Sequence, residues 1–152
     1  MLRIIEIQHP NAGVSIYQTV ACRFGDAAAK PALASQPPII LDVGGEGRHP
    51  EAWNLNPLDK RSLAPHRGEP IRRLIRARGE NIPLATSSVD LVIVERTPLR
   101  PATLREIRRI VKPGAFILLR HADLPWLDPH RNALRMLPGH VHRGKLQIGG
   151  QQ

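Results

Sequence analysis

Three aliphatic runs constrain this chain more than any other feature. They read PIILDV (38–43), SVDLVIVE (88–95) and AFILLR (115–120). Each is short, nearly continuous and ends at or beside a charged residue. Such runs suit strands buried on both faces. Between the second and third lies PATLREIRRIVK (101–112). There Leu104, Ile107 and Val111 recur at helical spacing, while Arg105, Arg108, Arg109 and Lys112 take the other sides. Pro101 suits the first helical position. The Lys-Pro-Gly of 112–114 suits a helix end, with glycine at the cap and lysine favoured by the dipole. Strands alternating with helices imply crossover connections and a mostly parallel α/β sheet. Sheets of that kind bind ligands beyond the carboxyl ends of their strands. Those ends carry residues 42–47, 54–57, 95–99 and 120–123.

The flanking segments are weaker. EAWNLN (51–56) is a short strand stopped by Pro57. It follows Asp42 too closely for a normal crossover helix, since a βαβ connection takes a dozen or more residues. The first crossover helix is therefore expected to be reduced or missing, unless this strand is misplaced. IRRLIRARG (71–79) offers Ile71, Leu74 and Ile75 at the spacing of one helical turn, or a short helix running into a strand near 74–77. LDPHRNALRML (127–137) reads as a helix with Asp128 as N-cap and Pro129 at N1. HVHRGKLQI (140–148) reads as a last edge strand or hairpin bending at Gly144. Ahead of the sharp pattern, 1–37 reads as a lead-in. It holds a short strand in LRIIEI, a strand or helix in VSIYQTVACRF, and a proline-bearing linker. The expected organisation is this lead-in plus one compact domain over 38–152.

A chain of 152 residues, 41% hydrophobic, can bury a real core. Aromatics at 3% make that core aliphatic and leave few platforms for stacking bases. The net charge is +9, and lysine occurs only at 30, 60, 112 and 145, so arginine dominates. The densest positive run is Arg61, Arg67, Arg72, Arg73, Arg76 and Arg78. It is either a solvated face or a surface for a nucleic acid or other acidic partner. The single cysteine, Cys22, excludes an internal disulfide and a cysteine metal site. His140 and His142 stand two apart without an identifiable third ligand, so no metal is expected. No apolar stretch approaches the length of a membrane span. The expectation is a soluble, cytoplasmic protein without a membrane partner.

Two segments together resemble class I S-adenosylmethionine-dependent methyltransferases. One is LDVGGEGR (41–48), like the family's first strand with its acid and glycine-rich turn. The other is ENIPLATSSVDLVIVERTPLRPATLREIRRIVKPGAFILLRHAD (80–123). Its landmarks are Ile82-Pro83-Leu84, Ser88-Val89-Asp90, Glu106 with Arg109, and Lys112-Pro113-Gly114. The resemblance spans about 38–123. It implies a Rossmann-like sheet and S-adenosylmethionine as cofactor. The cofactor would lie over Asp42, Gly44, Gly45, Glu46 and Gly47, because glycines allow close approach of a ligand to the backbone. The family usually keeps an acid after its second strand for the ribose hydroxyls. Asn54 and Asn56 stand here instead, and can hydrogen-bond without charge. Both are equally suited to a structural turn before Pro57. Near the adenine, Arg78 replaces the usual acid, leaving Glu80, Asn81 and Ile82 as the candidate contacts.

Catalysis would be mainly positioning of a nucleophile in line with the methyl group. Glu95 is the candidate base and His121, near Asp123, the candidate proton carrier. The methyl acceptor is not legible. Two alternatives stand beside this reading: a methyltransferase-like binding module without turnover, and a nucleic-acid-binding protein driven by charge. The lead-in and the shortened crossover also point weakly to a homodimer.

Overall fold

The computed structural model describes residues 17–24, 36–122, 126, 129–137 and 139–143. Seven strands form one sheet: β1 (Tyr17–Phe24), β2 (Ile40–Val43), β3 (Trp53–Asn56), β4 (Leu74–Arg76), β5 (Val89–Glu95), β6 (Val111–Ala122) and β7 (Gly139–Arg143). Among the described residues two helices accompany them, α1 (Pro101–Ile110) and α2 (Arg131–Met136). The strand order is β4-β3-β2-β5-β6-β1-β7. From β4 through β6 all neighbours are parallel. β1 runs antiparallel to β6, and β7 antiparallel to β1. This is an α/β architecture around five parallel strands.

The three aliphatic runs become β2, β5 and most of β6, adjacent at the centre. Register explains their composition. Leu41 pairs with Val92, which pairs with Ile117, and Val43 likewise joins Val94 and Leu119. Strand side chains alternate between faces, so these six share one face, and all are buried. Leu104, Ile107 and Ile110 of α1, with Ala133 and Leu137 near α2, join the same core. Fully burying a leucine or isoleucine contributes about 1.5–3 kcal/mol, which makes α1 a principal anchor. Its helix lacks a side-chain N-cap and starts on Pro101 instead.

The opposite face is different. Its apolar core is small, Ile93 and Leu118 with Ile40 and Leu91 against them. Neither helix contributes to it. Asp42, Asn54, Asn56, Glu95 and Arg120 share this face by register. Residues 44–52, which connect β2 to β3, form turns and bends with no helix. The shortened crossover is therefore present, and this segment lies on a polar rather than an apolar surface.

β1, which falls within the lead-in, lies between β6 and β7 in the sheet. VSIYQTVACRF, open between strand and helix, is a strand over its described part, and of the readings of 71–79 the strand near 74–77 is the one found, as β4. Several expectations need correction. α1 ends at Ile110; Val111 is already extended and starts β6. The Lys-Pro-Gly segment thus falls within a register shift of β6, where Val89 pairs with Val111 but Leu91 with Phe116. α2 begins at Arg131 after His130, later than Pro129 suggested. LRIIEI, most of the linker, Asp123, Asp128 and Gly144 lie outside the described residues. No helix among the described residues is long and apolar enough to cross a membrane.

Candidate functional site at the carboxyl edge of the sheet

Strand order reverses between β2 and β5. From β2 the chain goes outward to β3 and β4; from β5 it goes the other way to β6. In open α/β sheets this switch point opens a crevice beyond the strand ends. The glycine turn after β2 and the ERTPL segment after β5 face each other there.

The turn is tightly made. Gly44 N donates to Leu55 O at 2.8 Å and Gly45 N to Asp42 O at 3.2 Å. Gly44 adopts φ +78°, which suits only glycine. A Cβ on Gly44 would collide with the Thr97 side chain, and one on Gly45 with Asn54 Oδ1 and the Asp42 carboxylate. Both glycines are thus required by the protein's own side chains.

The candidate polar residues are mostly engaged internally. Glu46 is buried and accepts from the Ser62 backbone N–H, the Ser62 hydroxyl and Leu63 N. It ties down the segment after Pro57 and is neither solvated nor free for a ribose. Asn54 accepts from Gly47 N and donates to Arg72 O. Asn56 donates to Gly45 O and accepts from Leu58 N, the turn expected around Pro57. Asn81 is exposed, and Ile82 is a core residue whose backbone N–H donates to Glu106. Of the expected cofactor contacts, Gly44 and Glu80 line the crevice proper. That cleft holds about 200 Å³ beside Leu55, Pro57, Arg78, Thr97 and Arg100. Glu80 pairs there with Arg100 at 3.1 Å.

Glu95, the candidate base, is engaged by the protein's own side chains. It is 1% exposed, and His49 Nε2–H donates to it at 3.0 Å. Arg48, Arg120 and Arg96 lie at 3.6, 3.8 and 3.9 Å. Burial alone would push its pKa up. The His49 bond and the Arg48 and Arg120 charges outweigh that and hold it at about 2. A carboxylate so weakly basic does not abstract protons near neutrality.

His121 is also committed. Its Nε2–H donates to Thr97 O at 2.7 Å, and His130 Nε2–H donates to its Nδ1 at 2.9 Å. Burial pushes its pKa down. It holds the Thr97 backbone, which places the side chain that closes over Gly44. Asp42 is fully buried and both its oxygens lack a hydrogen-bond partner among the described residues. Burial raises its pKa to about 6, with Glu95 adding to the rise and His49 and Arg48 opposing it. It lines neither cleft.

A second cleft of about 450 Å³ opens on the other side of the turn. It is lined by Glu46, Gly47, His49, Arg61, His66, Arg72 and Arg73, among others. Sequence reasoning missed Thr97, Arg48, His49 and His130. Arg48 and His49 directly follow the glycine turn, a detectable signal; Thr97 and His130 carry none. Among the described residues no group of three or more histidine, cysteine or acidic side chains could hold a metal. Compared with family models, curated proteins and solved structures, the chain matches none.

Proposed function

We propose that this protein is a class I, Rossmann-like S-adenosylmethionine-dependent methyltransferase. One observation carries the reading: a cleft sits at the switch point, over a glycine turn, between the ends of β2, β3, β4 and β5. The cofactor would supply an electrophilic methyl group. Gly44 would face its methionine part, Leu55 and Pro57 its ribose, and Ala77, Arg78 and Glu80 its adenine. With Glu95 and His121 engaged elsewhere, this chain's residues would act by positioning rather than by proton transfer.

The fit is incomplete in one respect. About 200 Å³ is below the roughly 300–1,000 Å³ of small-molecule pockets. The Thr97 side chain occupies the space next to Gly44. Admission of the whole cofactor therefore requires Thr97 to turn away. Titration calorimetry with S-adenosylmethionine and its demethylated product tests this. Saturable binding that tightens roughly tenfold, or about 1.4 kcal/mol, in Thr97→Ala is expected. No heat with either protein at millimolar ligand would remove the proposal.

A second reading is a methyltransferase-like module without turnover. It is favoured by the internal engagement of Glu46, Asn54, Asn56, Glu95 and His121. Cofactor binding with no methyl released to any nucleophile would support it.

A further inference from the structure

The larger cleft, on the other side of the glycine turn, is separate from the cleft assigned to the cofactor and points to a different ligand. We propose that it binds a phosphate group, with Arg61 as the anchor and Arg72 and Arg73 at the rim.

Arg61 is held in place before any ligand arrives. Its backbone N–H donates to Glu69 O and its carbonyl accepts from Gly68 N, 2.8 and 2.9 Å. A bridge between Lys60 and Pro70 closes the same hairpin. The guanidinium lies over Gly47, its NH1 4.0 Å from where a Cβ would be. Its Nε is buried and has no hydrogen-bond acceptor among the described residues. The Arg61 guanidinium lines the cleft, and its planar fork suits a phosphate in a charge-assisted geometry.

Arg72 and Arg73 add an independent observation. Consecutive residues of an extended chain point to opposite sides, yet both line this cleft. Arg73 adopts φ +49°, a left-handed conformation that a residue with a side chain takes only under constraint. The kink is held by Asn54, whose backbone N–H donates to Arg73 O and whose side chain donates to Arg72 O. Asn54, expected to bind a ribose, instead fixes two cations at one opening. Arg73 also stacks over Trp53, 4.9 Å from the ring centroid. His49 and His66 also line the cleft.

Two acids lie in the cleft. Glu46 accepts three hydrogen bonds from Ser62 and Leu63, which turn its carboxylate toward that segment. Glu69 is more than half exposed, meets Arg61 only at 4.0 Å and bonds His66 at 3.1 Å. Such exposed pairs contribute little, so a phosphate can displace Glu69 from Arg61.

The phosphate could belong to a small ester or to a nucleic-acid backbone, and the test separates them. The full chain is titrated calorimetrically with inorganic pyrophosphate and, in parallel, with a short single-stranded RNA at low salt. One saturable pyrophosphate site is expected. It should weaken about tenfold in Arg61→Gln and in the exposed Arg72→Gln, and not in Arg105→Gln on α1. RNA that competes with pyrophosphate and weakens in the same variants identifies a backbone phosphate. RNA indifferent to them identifies a small ester. Absence of a saturable site, or equal loss in Arg105→Gln, overturns the proposal in favour of diffuse charge attraction.

Discussion

Asp42 and Glu95 show how two buried carboxylates on one sheet face can pull stability in opposite directions with pH. Glu95 has its pKa held at about 2, below the ordinary 4.5. Its contribution is complete above the unfolded value and is lost as pH falls through about 2. Asp42 is raised from 3.8 to about 6 by burial. The native state therefore keeps a proton that the unfolded chain has released, and stability falls as pH rises from about 4 to about 6. Each shift corresponds to about 3 kcal/mol at 1.36 kcal/mol per unit. In Asp42→Asn the decline between about pH 4 and 6 should vanish, read as a flat denaturation midpoint across that range. A slope equal to that of the unmodified protein would show Asp42 to be solvated. Glu95→Gln should cost about 3–5 kcal/mol at neutral pH, because it leaves Arg48 and Arg120 beside an uncharged partner. Urea unfolding at pH 7 measures this. None of it was legible from residue type, since an acid closing a strand reads equally as a cap, a cofactor contact or a base.

At the scale of elements, the downstream run that resembles a methyltransferase turns out to be a set of structural ties. Glu106 accepts from Ile82 N at 2.8 Å, and Arg109 donates to Ile82 O, Leu84 O and the Glu106 carboxylate. Together they fasten the segment entering β5 to α1. Asp90 accepts from Ile39 N and from Lys112 Nζ, both at 2.8 Å, joining the start of β2 to the strand after α1. Each of these landmarks meets another in the folded chain. Arg109→Lys retains the charge but loses the forked donor that reaches two carbonyls. It should cost about 2 kcal/mol and speed exchange of the Ile82 and Leu84 amides, measured by hydrogen exchange, with the β2 and β6 amides slower to respond. The helix and its amphipathic face were readable from the 3.6-residue period. Its end was not, since Lys-Pro-Gly serves equally as a helix cap or as an irregularity inside a strand.

For the whole molecule, the asymmetry of the sheet is the main feature. One face is covered by α1 and α2 over an aliphatic core. The other carries a short, helix-free connection over a row of polar and charged side chains. With a net charge of +9, self-repulsion weakens the compact state. Raising salt from about 10 mM to about 150 mM shortens the Debye length from roughly 30 to 8 Å, so the thermal midpoint at pH 7 should rise. A fall would mean that ion pairs, the Glu95 cluster foremost, outweigh the repulsion. The parallel strands, the glycine turn and the lack of room for a first crossover helix followed from local pattern, because strand burial and chain length are properties of contiguous residues. The fate of Glu46, Asn54, Glu95 and His121 did not. Their partners stand 16, 18, 46 and 24 positions away. Only folding brings those groups together, and desolvation there sets which side chains hold the backbone and which face a ligand.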